Sequence, residues 1–466
     1  IIGLAIFTVS SLLCALSGDV TIGNFSHIQT LFAARALQGL GGSIMLPLSL
    51  AIISSMFQGK QRGTAIGLWG GTSGLAIAIG PVVGGVLVQT VNWQSIFYLN
   101  VPIGVVGIGL SAWAIRESRD EGAKRSIDVA GLILLTVGLF CLLLALIQGN
   151  DADKGWTSGY ILTLFAIAAV ALITFVAVEL RLENPMVDPR LFLNRSFTAG
   201  AAVDAFVLSA GLYSLFFFLA LFFQNALGFG PLDTGIRFLP MSAIILLASP
   251  IAGNLMHRLG AKPLLVAGLS LVAIGILLLT VIAPHDTKTD WVILLPGLAL
   301  AGLGSGIVNP PIATLAVSTV SRERAGMASG VSAACRQVGI AFGIALLGAI
   351  LTSRYNGYVH DEVTALNAPH VTAAIKQQII AGVQRAGAVA GSTALKGDPS
   401  HPNPFAHQPL APTIGALARA AFIKGLVDIL RVAALIVAIG VAVSLFMVRR
   451  SDIEEGGPGG EPAAAG

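Results

Sequence analysis

Apolar stretches of about twenty residues, the length a helix needs to cross a bilayer, recur twelve times along this chain. They lie near 1–17, 29–55, 65–88, 95–115, 128–148, 158–179, 197–222, 232–254, 263–283, 291–317, 327–351 and 426–448. Between them they leave little room for a water-soluble surface. Charged residues make up 11% of the 466 positions and hydrophobic ones 55%, whereas soluble domains carry about 25% charge. Backbone polar groups inside lipid must be satisfied internally, so the spanning segments are expected to be helices. The fold class is therefore all-α, a polytopic transmembrane helical bundle. The 55 glycines suit such a bundle, because small residues let membrane helices approach closely.

The loops give the orientation. Lys60, Arg62, Arg116, Arg119, Lys124, Arg125, Arg181, Arg190, Arg195, Arg258, Lys262, Arg322 and Arg324 all fall in one alternate set of connections, and the tail adds Arg449 and Arg450. The opposite short loops hold only Lys154 and Lys288. Basic residues collect on the cytoplasmic side, so both native termini are expected there and the location is the cell membrane. The net charge of +4 is then topological, and no nucleic-acid partner is implied. The segment 354–424 is long and polar and falls on the outer side. Within it 370–388 reads as a helix and 396–413 as irregular chain. The tail 449–466 reads as disordered.

No cofactor or metal is called for. Cys14, Cys141 and Cys335 stand in apolar runs, and His360, His370, His401 and His407 lack metal-ligand spacing. Soluble-enzyme motifs such as HExxH, GxSxG and GxxxxGK[ST] are absent, so the chain reads as no enzyme, and an ion gradient is the expected energy source. Ile1 begins inside an apolar run without a basic region before it, which does not fit a signal peptide; further chain is expected ahead of it.

Charges inside spanning segments are costly and point to function. Arg35 shares a helical stripe with Gln38, Gly39 and Gly42, and the alternative is an interfacial arginine that only orients its helix. Asp204 sits about 10 Å into its helix among the small residues Gly200, Ala201 and Gly211, as a candidate proton or cation site or the partner of an arginine. Arg336 sits about 15 Å into its own helix, on a face with Ser329, Ser332, Gly339 and Gly343. Pro81, flanked by Gly80, Gly84 and Gly85, predicts a kink at a tight helix interface, with Gly80 and Gly84 as a GxxxG pair. Asp428 and Arg431 are spaced to pair on one helix face. The aromatic run at Phe216, Phe217, Phe218, Phe222 and Phe223 is expected to face lipid for the most part. Phe216, Gln224 and Gln337 are the candidates for lining a substrate cavity.

Several of these stretches together resemble the major facilitator superfamily. Leu31–Gly42 is similar to its motif B, and Gly80–Gly85 to the core of its antiporter motif, with Ala76 where a glycine is usual. Trp93–Gly104 (with Gln94 in place of a basic residue), Asn184–Arg195 and Arg324–Gly339 resemble segments of its fourteen-helix drug:proton antiporters, the EmrB/QacA group. Gly253–Lys262 resembles a second copy of motif A, with His257 where aspartate is usual. The resemblance spans about residues 1–448. It implies a major facilitator fold, with twelve helices visible of an expected fourteen and the first two lacking. It also implies a bundle over 1–115, a linking helix pair with its loops over 116–196, and a second bundle over 197–448.

The implied activity is proton-coupled efflux of lipophilic or cationic drugs by alternating access. A dedicated exporter of one metabolite or self-made antibiotic is the alternative, and a non-transporting receptor or scaffold of the same fold is a more distant one. Asp204, Arg35 and Arg336 would carry proton coupling or charge relay, and Gln38, Gly39, Gly80, Pro81, Gly84 and Gly85 the transport motifs. The partners are then a small-molecule drug, protons and membrane lipid; accessory envelope proteins are left open.

Overall fold

The computed structural model describes residues 1–18, 26–57, 59–115, 128–149, 155–182, 185–283, 287–318, 320, 325–366, 372–391 and 411–448. Among them it forms thirteen helices and no strand: α1 (Ile2–Leu16), α2 (His27–Met56), α3 (Gly59–Thr90), α4 (Ser95–Ala114), α5 (Val129–Gln148), α6 (Gly159–Glu179), α7 (Phe197–Ala226), α8 (Pro231–Leu259), α9 (Ala261–Leu278), α10 (Leu295–Ser318), α11 (Ala325–Ala365), α12 (Ala373–Gly391) and α13 (Ala411–Met447). This is a multi-pass membrane protein. Nine of the described helical stretches are long and apolar enough to cross a bilayer.

Local chemistry sets many helix starts. Ser26 and Gln29 form a capping box at α2, each side chain bonded to the other's backbone N–H at 3.3 and 3.0 Å. Asp128 accepts from Gly131 N at 2.8 Å to start α5, and Ser158 caps α6 through Ile161 N. Pro231 opens α8, where its missing N–H costs nothing. Gly260, at φ 81°, turns the chain directly from α8 into α9, a left-handed conformation that favours glycine.

Helices α7 to α11 and α13 share one buried core that runs from Ala199 to Val448. Glycines bring its backbones together. A Cβ on Gly339 or Gly343 of α11 would lie 2.5 Å from Phe206 O or 2.3 Å from Ala210 O of α7. Helices α1, α2 and α4 pack as a second group, and α5 pairs with α6. Helix α3 meets α2 and α4 of the smaller group and also lies along α8 and touches α10 of the larger one, and α11 touches both α2 and α5.

Two boundaries differ from the sequence reading. The 41 residues of α11 make a helix of about 60 Å, twice the ~30 Å hydrocarbon thickness. Helix α13 likewise begins at Ala411, well before the apolar run at 426. Both continue because their extensions are amphipathic and bury Tyr355, Val359, Val363, Ile414 and Ala418 against Ile379 and Val383 of α12. The segment 354–424 is thus largely helical, its helix α12 matching the expected 370–388. Residues 392–410, most of the stretch expected to be irregular, lie outside the described residues, as do the tail beyond 448, His370, His401 and His407. Where α11 meets α13, Asp428 binds Arg431 at 3.2 Å, Arg354 at 3.6 Å and Tyr358 Oη at 2.9 Å. The expected Asp428–Arg431 pair is present.

The α3–α8 contact corrects the reading of the proline motif. Gly80 and Gly84 face open space; Gly85 and Pro81 make the interface. A Cβ on Gly85 would lie 2.7 Å from Leu232 Cα, and one on Gly235 would lie 2.3 Å from Pro81 O. Gln89 Oε1 accepts from Leu232 N at 3.3 Å. The reason is phase: four residues separate Gly84 from Gly80, and both turn away from α8. Gly235→Leu is expected to push α3 and α8 apart. Disulfide cross-linking of a Gln89→Cys, Leu232→Cys pair in membranes should then fall several-fold, whereas Gly84→Leu should leave it unchanged.

Candidate functional site

Two polar assemblies stand inside the apolar bundle. The first joins α1, α2 and α4. Gln38, buried on α2, donates from Nε2 to Ser11 Oγ at 2.9 Å and accepts from the Arg35 guanidinium. Asn100 Nδ2 also donates to Ser11 Oγ at 3.0 Å, and Ser11 donates onward to Phe97 O at 3.2 Å. Ser11 therefore uses both lone pairs and its proton. The Cys14 thiol lies 3.9 Å from Gln38 Oε1. Arg35 itself is exposed, with its guanidinium 5.6 Å from the Phe97 ring centroid, within cation–π range. Helical spacing puts Arg35 one turn from Gln38 and their side chains bond, but of the expected stripe only Gln38 is buried, with Gly42 half-buried. Gly39 lies on the exposed face, and a Cβ there would meet nothing within 4 Å.

The second assembly centres on α7. This helix widens into π-helical turns at Phe197–Asp204, Ser209–Tyr213 and Phe222–Ala226. Such widenings recur at functional positions. Asp204 closes the first and is fully buried. Its Oδ2 accepts from Ser444 Oγ of α13 at 2.6 Å, while Oδ1 has no hydrogen-bond partner. Gly440, one turn from Ser444, leaves the space beside Oδ1; a Cβ there would lie 3.3 Å away. Gly200 and Gly211, expected to keep the helix face small, do so by packing against Leu315 and against Val437. Side-chain detail at Ala201 and His257 lies outside the described residues.

Tyr213 closes the second widened turn and is not among the residues that sequence reasoning singles out. Its hydroxyl meets Asn309 Nδ2 at 3.0 Å and Ser305 Oγ at 3.3 Å, both on α10. A signal was available: asparagine before two prolines in an apolar span is a costly arrangement.

The remaining candidates are scattered. Arg336 is half-buried on α11, and among the described residues no ion pair links it to Asp204. Gln337 beside it and Gln224 near the end of α7 are exposed. Phe216 is half-buried and lies against Tyr213 and Phe238, with ring centroids 6.4 and 5.2 Å apart. The expectation that the phenylalanine run mostly faces lipid is corrected. Phe218, Phe222 and Phe223 are core residues and only Phe217 is widely exposed, because the π-helical turns shift the phase of the exposed stripe. Arg237 stacks on Phe229 at 3.4 Å and lies 3.5 Å from Asp233, a structural arrangement at the start of α8.

In lipid, Gln38 has no water to replace a lost partner. Gln38→Ala removes one donor to Ser11 and the acceptor of Arg35, and a loss of about 1–3 kcal/mol is expected. The thermal midpoint of the purified protein in detergent should fall. Arg35→Lys, which keeps the charge and loses the planar fork, should lower that midpoint less than Gln38→Ala does.

Comparison with known proteins extends these observations. The profile of the Major Facilitator Superfamily matches residues 1–344. Multidrug transporter protein MdtP of Bacillus subtilis is 34% identical over 361 residues, 78% of this chain and 64% of the relative. Multidrug resistance protein Stp of Mycobacterium tuberculosis is 36% identical over 76% of this chain and 63% of the relative. The chain thus spans a little under two thirds of these two relatives. The tetracenomycin C resistance and export protein of Streptomyces glaucescens is 29% identical over 100% of this chain and 81% of its own length. A crystal structure of a bacterial homologue of the human lysosomal transporter Spinster, inward-facing and occupied, shares the fold. Its TM-score is 0.50 at 16% identity, covering 97% of this chain and 82% of that one.

Proposed function

The chain belongs to the Major Facilitator Superfamily, and from that premise we propose that it exports lipophilic or cationic drugs across the cell membrane, driven by proton influx through alternating access. Two helical bundles of this superfamily rock about a substrate site near the bilayer midplane. The basic loops would face the cytoplasm, with both native termini there. The relatives support the drug reading, since several carry multidrug or antibiotic resistance in their names.

The observation that carries the mechanism is Asp204. It is fully buried within a spanning helix, bonded only to Ser444, with one oxygen free. A buried carboxylate without a cation beside it is best accommodated when it can take up and release a proton. In this reading Asp204 gains a proton when its bundle faces outward and loses it when facing inward. Ser444 holds it in place. Arg35 and Arg336 tune the charge of the cleft, and Phe216, Gln224 and Gln337 contribute to its wall. The tight α3–α8 contact at Pro81, Gly85 and Gly235 supports an arrangement shut at the end opposite the basic loops. That is the state an exporter needs when it loads from the cytoplasm.

A second reading has its own support. The relative that aligns along this entire chain is named for the export of tetracenomycin C, so a dedicated antibiotic exporter fits equally well. Substrate profiling separates the two.

Drug-stimulated proton release from proteoliposomes holding the full-length protein tests the mechanism. Asp204→Asn is expected to abolish proton release while drug still binds, and Ser444→Ala to slow it by a smaller factor. Unchanged coupling in Asp204→Asn would remove this residue from the proton path.

A further inference from the structure

Helices α7 and α10 meet at a neutral polar cluster that the proton mechanism does not use. Asn309 Nδ2 donates to Tyr213 Oη at 3.0 Å and to Ser305 O at 2.8 Å. Tyr213 stands at the middle of the thirty-residue span Phe197–Ala226 and Asn309 within Asp290–Ser318, so both belong to the bilayer interior. Yet both are only half-buried. Amide and phenol groups that keep spare donor and acceptor capacity at that depth are better accommodated toward water-accessible space inside the protein than toward lipid.

The backbone points the same way. Pro310 and Pro311 follow Asn309 inside α10, and neither has an N–H. The carbonyls of Gly306 and Ile307 therefore lack their usual partners four residues on. Carbonyls freed by proline at membrane depth need another partner, such as a side chain, ordered water or a bound ligand. Helix α10 also touches α3 of the smaller group, so this wall borders the junction between the two sets of helices.

The chemistry of the wall selects among ligands. Tyr213 and Asn309 are neutral and can each donate and accept. No ion pair reaches them among the described residues, and Asp204 turns instead to α13. Phe216 lies nearly parallel to Tyr213, with an interplanar angle of 24°, and Phe217, the next residue, is 48% exposed. We infer that Tyr213 and Asn309 form a substrate subsite for uncharged planar aromatic molecules bearing carbonyl or phenolic hydroxyl groups. This deepens the efflux reading and rests on it. The ring system lies along the aromatic side chains, and its oxygen substituents exchange hydrogen bonds with Tyr213, Asn309 and the freed carbonyls.

The test compares two ligands of the same three-ring footprint, 2,6-dihydroxyanthraquinone and anthracene, at pH 6. Binding to the purified full-length protein is measured against a protein-free micelle blank. The wild type should prefer the oxygenated ligand. Tyr213→Phe and Asn309→Ala should each reduce that preference about three- to tenfold, the worth of one neutral hydrogen bond. A purely structural role would weaken both ligands alike and leave the preference intact. That result, or a wild type without the preference, overturns the subsite. A wild type that shows the preference but releases no protons on drug addition keeps the subsite and removes the exporter reading instead.

Discussion

A polar group inside hydrocarbon has no water to fall back on, and the rest of this structure follows from where each such group finds its partner. Ser11 is the clearest case. One hydroxyl accepts from Gln38 and Asn100 and donates to Phe97 O, so three helices are joined through one small side chain. Arg35 attaches to that network through Gln38 and an aromatic face. Asp204 is the opposite case, with Ser444 satisfying one oxygen and nothing satisfying the other. The contrast separates a structural polar network from a site with unfilled capacity.

Apolar packing supplies the rest, and it works differently from a soluble core. Lipid is as apolar as leucine, so close fit between helices matters more than burial. Gly339 and Gly343 let α11 rest on the α7 backbone, and Gly85 and Gly235 do the same for α3 and α8. A side chain at any of these four positions would collide with backbone, which cannot rotate away. Other helical glycines, among them Gly39, Gly80, Gly84 and Gly330, meet nothing within 4 Å and take no part in such crossings.

What could be read from the sequence was whatever depends on hydropathy and helical phase. The spans, the Arg35–Gln38 and Asp428–Arg431 pairs and the small face around Asp204 all follow from those two properties. The misreadings have a common cause in three-dimensional context. Gly80 and Gly84 have the spacing of a helix interface, but the neighbour lies on the side of Gly85. The phenylalanine run reads as lipid-facing on an ideal 3.6-residue period, and the π-helical turns of α7 rotate it into the core. The extensions of α11 and α13 are hidden because their apolar stripe faces α12, which a hydropathy window reads as a polar loop. Tyr213 and Asn309 are ninety-six positions apart in sequence, and nothing local announces their contact.

Arg35 and Asp204 share no direct bond, which constrains how the cleft and the buried acid can influence each other. A contiguous route exists through packing. Asp204 is fixed in α7, α7 carries α11 on the Gly339 and Gly343 contacts, and α11 touches α2, the helix of Arg35. The α7–α11 step in that route is helix on backbone, with no flexible side chain at the two glycines to absorb a displacement. A shift of α7 on protonation of Asp204 would therefore move α11 as a body, and α2 with it. The Gly339 and Gly343 contacts are where coupling along that route would reside, since widening either would let α7 move without α11.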